Sequence, residues 1–508
     1  MKKKKFKNIL VNRIAIILPA IIFQGAWIYV LMKWLSPVSA ILENILMGLS
    51  VVFAVYLNSK RDEPSYKILW LLIILVFPVM GAALYLIFGN KSSGRVIKRS
   101  LELSRKITGP PPKENLLIGT GESSLRISQI FGYMTKITGF PLCENGEAVY
   151  YPCGEKLFED YIPALKAAKH YIYIEYFIIE DGVMWDAILD VLLEKADAGV
   201  DIRVIYDDLG CLGTLPSKYS RYLCGNKIKC IKFNPFIFAL TGRLNNRDHR
   251  KITVIDGVTA FSGGINLADE YINEKKKFGY WKDIGFKLTG SGVDSFKYMF
   301  AEFWNAFSED KVDMEIIKEK APASAVHDGY VLPYYDCPVD KYAASCTLYS
   351  EILSRAEKYA WFYTPYLMFG DELMTSFVHA AERGVDVRII MPGIPDKKMI
   401  FRISRCYYYP LIEAGVRIFE YEPGFVHAKA CISDDIIGTV GSVNLDYRSL
   451  YLHFECNSVF YRSKLLSDLK ADFADTLSQC KEITQKDLKS NIFIQMENGI
   501  LRLLAPLC

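Results

Sequence analysis

Histidine is scarce in this chain, with six among 508 residues. Twelve cysteines are present, yet none falls in a CxxC pair or in a Cys/His cluster at metal-ligand spacing. A zinc or iron–sulfur site built from local sequence is therefore excluded. The nearest suggestive pair is Cys224 and Cys230, and the cysteines read as reduced thiols facing a cytosol. Charge of one sign is also lacking. Lys and Arg number 61 against 57 Asp and Glu, a net +4 that is too balanced to point to a nucleic-acid partner. Apolar residues are what the chain has in excess. Mean hydropathy is +0.13, high for a soluble enzyme, and the surplus lies mostly in the first ninety residues.

Two uncharged runs there, Ile14 to Met32 and Ile68 to Phe88, are each long enough to cross a hydrocarbon core as a helix. A third, Asn44 to Leu57, is shorter and follows Glu43. The first run lacks the small-residue cleavage site of a signal peptide and reads as an anchor. Basic residues in MKKKKFK, at Lys60, Arg61 and Lys67, and from Lys91 to Lys106 all read as cytoplasmic, while the loop Ser36 to Ala40 carries none. Three full crossings cannot satisfy that pattern. Two crossings and one re-entrant or interfacial segment can, with Pro78 and Gly81 marking a break. The basic residues after position 90 are also placed to meet anionic headgroups. Thr108 to Ser124, rich in Pro, Gly and Ser, reads as a linker. The expected organisation is a membrane anchor over 1–90, a linker over 91–140, α/β domains over 141–310 and 346–508, and an inter-repeat segment over 311–345.

The two domains are copies. EKADAGVDIRVIYD from Glu194 and HAAERGVDVRIIMP from His379 both read as a helix end, a glycine stop (Gly199, Gly384) and a buried strand. An apolar strand precedes each, YIYIEYFI from Tyr171 and WFYTPYL from Trp361. Strand, helix and strand occur twice, which predicts a duplicated α-β-α sandwich about a pseudo-twofold axis. After each unit comes H-x-K-x4-D: His249, Lys251 and Asp256, then His427, Lys429 and Asp434. Each continues into a glycine-rich turn and an asparagine, Gly263, Gly264 and Asn266 in one, Gly441, Ser442 and Asn444 in the other.

Residues two apart on a strand share a face, so each His points with its Lys. Asp256 and Asp434 complete the motif, but both fall at hairpin-turn signals, and ordering that turn is the role their spacing favours. If the halves pack about a twofold axis, two His and two Lys converge. One imidazole can then attack phosphorus, the other can protonate the leaving alkoxide, and the lysines can hold the anionic oxygens. The intermediate would be a phosphohistidine, and no metal or cofactor is required. Asp283 and Glu455, downstream of the two histidines in YWKDIG and LHFECN, are the candidates to fix their far nitrogens.

These residues resemble the phospholipase D superfamily, and within it the bacterial cardiolipin synthases, over nearly the whole chain. LNNRDHRKITVIDG with GGIN resembles their first motif region, and GFVHAKACISDD with GSVNLDYRS their second. TPYL at Thr364 to Leu367, the FPVMGAALYLIFG stretch and the closing RLLAPL (Arg502 to Leu507) are similar to them as well. The resemblance implies a membrane-bound enzyme acting at the bacterial cell membrane with cytoplasmic catalytic domains. It would transfer a phosphatidyl group between two phosphatidylglycerol molecules, with His249 as nucleophile, His427 as acid then base, and Asn266, Ser442 and Asn444 near the phosphate. Asp248 and His453 depart from it, since asparagine is common at both places, and Met368 and Phe369 stand where a proline is common. A hydrolase of the same superfamily, acting on phospholipid or nucleic acid, and a membrane scaffold with a dead site are the alternatives. Two intact motifs argue against the scaffold. Apolar segments and balanced charge argue against a nuclease.

Overall fold

The structure, a computed structural model, describes the chain apart from residues 1–25, 27–35, 61–62, 78–80, 83, 90–93, 113–115, 117–121, 236–244, 323, 325, 489–490 and 508. Two bodies are distinguished, one of residues 1–93 with 239–242 and one of residues 94–238 with 243–508. In the first, helix Ser36–Ser59 packs on helix Pro64–Val76. Leu57, Trp70, Ile74 and Tyr85 form its small core. Pro64 opens the second helix, and the Glu63 carboxylate accepts the Tyr66 N–H at 3.0 Å as its cap. Phe77, the residue before Pro78, leaves the helical region (φ −128°, ψ 76°) as a following proline requires. The run from Ile68 to Phe88 is therefore not one continuous helix. Thirteen residues reach about 20 Å, short of a hydrocarbon core of about 30 Å. Among the described residues no helix is both long enough and apolar enough to cross a membrane. The run Ile14 to Met32 and the basic start of the chain lie, Ala26 aside, outside the described residues.

The second body holds two mixed sheets and two α/β domains. The first sheet has seven strands in the order Ala148–Tyr151, Gly285–Thr289, Thr259–Gly263, Lys251–Ile255, Tyr171–Tyr176, Asp201–Asp207, Lys229–Phe233. The second repeats that order with Tyr330–Asp336, Glu455–Tyr461, Ile437–Gly441, Ala430–Ser433, Tyr359–Tyr363, Asp386–Pro392, Arg417–Tyr421, and adds Cys143–Glu144 and Cys480–Ile483 at its two edges. In both sheets the last three of these seven strands pair parallel and the others antiparallel. The parallel pairs are the two strand-helix-strand repeats. Their helices, Val183–Asp197 and Asp371–Glu382, are followed by Gly199 and Gly384 at φ +91° and +90°, the left-handed stop that glycine takes without strain.

Two segments differ from the expected organisation. Residues 91–140 are not a linker: helices Arg95–Thr108 and Glu122–Thr138 belong to the second body. The first buries Ile97, Leu101, Ser104 and Thr108 against helix Gly292–Phe307. Its Arg105 pairs with Glu302 and Asp340 at 2.8 Å each, so this basic residue is committed to protein carboxylates rather than to headgroups. The inter-repeat segment likewise supplies strand Tyr330–Asp336 to the second sheet. Helix Gly292–Phe307 is buried from Gly292 to Asn305 because it packs on strands of both sheets. That shared core makes the two copies one body.

The motif aspartates stand at the far ends of their strands, five residues and about 16 Å from the motif lysines. They are not at the site. Asp256 (φ +51°) and Gly257 (φ +65°) form a two-residue turn closed by Val258 N–H on Ile255 O at 3.0 Å. The Asp256 carboxylate accepts the N–H groups of Lys169, His170 and Tyr171 at 2.7 to 2.8 Å. Asp434 (φ +54°) does the same for Glu357, Lys358 and Tyr359 at 2.8 to 2.9 Å. Each aspartate thus ties the hairpin to the start of the adjacent strand. Asp256→Ala is expected to cost about 1–2 kcal/mol of stability, seen as a lowered Tm, while kcat stays within about threefold of the parent. A collapse of kcat with Tm unchanged would return Asp256 to the chemistry.

Candidate active site

Strands Lys251–Ile255 and Ala430–Ser433 begin at or just after the motif lysines, so both histidines lie in the extended approach rather than on the strand. Each approach is held by the other half. His249 N–H donates to Phe454 O at 2.8 Å, and Phe454 N–H donates to Arg247 O at 2.8 Å. His427 N–H donates to Lys282 O at 2.7 Å, where Gly424–Val426 pairs parallel with Tyr280–Lys282. Phe454 precedes Glu455, and Lys282 precedes Asp283. The exchange therefore delivers each carboxylate to the histidine of the opposite copy. His249 Nδ1 lies 2.9 Å from Glu455 Oε2, and His427 Nδ1 lies 2.6 Å from Asp283 Oδ2. The pairing is crossed, not within each copy.

The motif lysines also repeat one another. Lys251 Nζ donates to His249 O at 2.5 Å, and Lys429 Nζ donates to His427 O. Lys429 Nζ is also 2.7 Å from His427 Nδ1. That nitrogen cannot donate to Asp283 and accept from Lys429 together, and donation to the carboxylate is the stronger, charge-assisted choice. Both histidines and both lysines are buried. Burial first, and then the two lysines, hold both imidazoles well below their usual pKa. Burial brings Lys251 down to about 8 and Lys429 to about 7, and pushes Asp283 up to about 6. The site is thus a buried cluster of neutral imidazoles and weakly held lysine charge, suited to a phosphate anion that restores the positive form.

A depressed lysine carries its charge below its folded pKa and loses it above. Sulfate, whose own charge is constant in this range, is therefore expected to bind best below about pH 7. Its affinity should drop by at least about tenfold by about pH 9. Calorimetric titration across that range checks this, and a flat profile would contradict it.

The three residues expected near the phosphate separate. Ser442 Oγ donates to Glu455 Oε2 at 2.5 Å and accepts from Cys456 N–H at 3.0 Å, so it steadies the carboxylate behind His249. Its counterpart is Gly264, where a Cβ would lie 2.2 Å from Asp283 Oδ1. The shorter aspartate sits close to the backbone and takes the Ile284 N–H at 2.8 Å instead of a hydroxyl. Asn266 is also committed to protein. Its Oδ1 accepts from Ile178 N–H at 3.1 Å and its Nδ2 donates to Tyr271 Oη at 2.6 Å. Asn444 alone of the three is buried with its Oδ1 unpartnered among the described residues.

Several neighbours carried no motif. Phe177 stands edge-on to His249 at 5.0 Å, and Tyr271, Trp281 and Phe425 surround His427 at 5.4 to 5.8 Å. These rings exclude water from both imidazoles. His453 lies 5.8 Å from the His249 ring. The site thus gathers His249, His427 and His453, while His170, His327 and His379 are exposed. Asp248 does not face the His–Lys set. Its Oδ1 accepts from buried Arg250 Nε at 2.9 Å, and Arg250 also pairs with Glu175. Among the described residues His249, His453 and Glu455 are the group able to hold a metal ion, with ligand atoms within 4.8 Å of one another.

Residues 161–277 and 349–477 match the family described as "Cardiolipin synthase, PLD-like domain", and residues 45–90 match "Phospholipase D-nuclease N-terminal". An uncharacterized protein of Streptococcus mutans is 42% identical over 90% of this chain and 99% of its own length. The cardiolipin synthase of Alkalihalophilus pseudofirmus is 31% identical over 91% of this chain and 93% of its own. The crystal structure of a phosphatidylserine synthase from Haemophilus influenzae shares the fold, with a TM-score of 0.56 at 16% identity over 75% of this chain and 98% of that one. On these similarities the chain belongs to the cardiolipin synthase family of phospholipase D-like proteins.

Proposed function

We propose that the protein is a membrane-bound phosphatidyltransferase that makes cardiolipin and glycerol from two molecules of phosphatidylglycerol. The observation that carries this reading is the convergence of two His–Lys pairs in one buried site, each imidazole held through Nδ1 by a carboxylate. With Nδ1 engaged, Nε2 of each ring is left for chemistry. His249 Nε2 attacks the phosphorus of the first lipid. The bond from phosphorus to the head-group glycerol oxygen breaks, and His427, charged by a proton taken up at Nε2 as the phosphate anion enters, gives that proton to that oxygen. Glycerol leaves, and the phosphatidyl group is carried on His249. The primary hydroxyl of a second phosphatidylglycerol then gives its proton to His427 while its oxygen attacks phosphorus, releasing His249. Lys251 and Lys429 balance the charge on the non-bridging oxygens through both steps. No cofactor enters this scheme.

Lipid access is supported by exposed apolar side chains. In the first body Leu49, Val52, Val55 and Val76 are each 60 to 67% exposed. In the second, helix Ile492–Leu504 presents Ile492, Phe493, Met496 and Ile500 to the surface. Contiguous apolar surface of this kind fits a membrane. The test is purified full-length protein with vesicles of phosphatidylglycerol alone. Cardiolipin is the expected lipid product, and phosphatidic acid as the sole product would overturn the reading.

A further inference from the structure

The second half of the site contains a gap that the transfer chemistry does not use. Glu455 is fully buried, and its Oε2 is taken by His249 and Ser442. Among the described residues its other oxygen, Oε1, has no hydrogen-bond partner, and neither ring nitrogen of His453 has one. These atoms face each other, with His453 Nδ1 3.8 Å from Glu455 Oε1, beyond hydrogen-bond reach. The His453 side chain is only 11% exposed, so bulk water does not supply the missing contacts. Unpartnered buried polar atoms cost free energy, and Nδ1 and Oε1 standing across that gap point to a ligand between them.

We propose that His249, His453 and Glu455 bind one divalent transition-metal ion, of which zinc is the type, and that this ion blocks the site. The geometry suits it. An ion bonded at about 2.1 Å to nitrogen and to oxygen spans 3.8 Å at an angle of roughly 130°, and a shift of about 0.4 Å brings that to the tetrahedral value. His249 supplies the third ligand within the same 4.8 Å cluster, leaving a fourth position open. Two imidazoles and one carboxylate select zinc or cobalt over magnesium or calcium, which prefer all-oxygen shells. Lys251 and Lys429 oppose any cation here, which favours directional coordination over simple charge attraction. Once bound, the ion holds His249 and the Glu455 carboxylate that orients it, so phosphorus and metal compete for one residue. Binding rests on geometry alone. The block on turnover rests on the proposed transfer reaction.

The experiment is titration of the full-length protein in detergent with Co2+, read by absorbance. The result expected is one ion per chain with visible d–d bands and no sulfur-to-metal charge transfer, which separates this site from the cysteines. In His453→Asn and in His453→Gln the affinity falls by at least about tenfold. Unchanged binding in both variants, or no stoichiometric binding by the parent, overturns the site. With phosphatidylglycerol vesicles, Zn2+ is expected to stop product formation by the parent and EDTA to restore it, each protein being compared with itself. Stoichiometric binding with undiminished turnover overturns the block but not the site. A protein that makes no cardiolipin under any condition contradicts the transfer reading, while the cobalt titration still decides the site.

Discussion

In His249→Ala, cardiolipin formation is expected to fall by roughly ten-thousand-fold or more, and the covalent lipid-enzyme species to disappear. Two hydrogen bonds fix His249. Its main-chain N–H is held by Phe454 O and its Nδ1 by Glu455, so Nε2 is presented in one orientation inside a dry pocket. Burial and the two lysines keep the ring neutral, the form that can attack. The contrast with His427→Ala is the stronger part of the prediction. A p-nitrophenyl ester of phosphatidic acid has a leaving group that needs no proton. With that substrate His427→Ala should still release a burst of about one equivalent of p-nitrophenolate and stall as the covalent species, while His249→Ala gives no burst. A burst in His249→Ala with none in His427→Ala would exchange the two roles.

Glu455→Gln is expected to lower kcat by roughly a hundred- to ten-thousand-fold with little change in KM, because it removes the charge that fixes and stabilises the His249 ring. The same magnitude is expected for Asp283→Asn through His427. What distinguishes the crossed arrangement is which pairs couple. In double-mutant cycles on thermal stability, His249→Gln and Glu455→Gln should show an interaction of about 0.5–3 kcal/mol, whereas His249→Gln and Asp283→Asn should add. The reason lies in the fold. Buried partners of one hydrogen bond share its loss, and residues of separate pairs do not. Coupling of His249 with Asp283 and not with Glu455 would mean that each copy orients its own histidine.

The duplicated fold was legible because glycine stops and apolar strands recur with the same local chemistry. Gly199 and Gly384 carry the positive φ that their places after a helix imply. Asp256 and Asp434 were legible as turn residues for the same reason, since aspartate before a tight turn tolerates the left-handed conformation. The carboxylates Asp283 and Glu455 were legible as partners but not as crossed partners. Crossing depends on main-chain bonds such as His427 N–H to Lys282 O, which form only when the two copies dock. Helix Arg95–Thr108 was missed for a related reason. Its buried stripe of Ile97, Leu101, Ser104 and Thr108 is amphipathic, but its basic face resembles a membrane flank until Glu302 and Asp340 are brought to Arg105. Asn266 and Ser442 occupy motif positions yet bond to protein, because a phosphate site needs its inner groups held as firmly as its ligands. His453 had no motif at all, and only the main-chain bonds of Phe454 to Arg247 and His249 set it beside His249.

The central claim is that the phosphatidyl group passes to a lipid hydroxyl rather than to water. The measurement that tests it most directly is mass balance in 18O-labelled water, with phosphatidylglycerol as the sole lipid. One glycerol is expected for each cardiolipin formed, with no 18O in the cardiolipin phosphates. Phosphatidic acid carrying 18O as the main product, with glycerol released and cardiolipin absent, would contradict it.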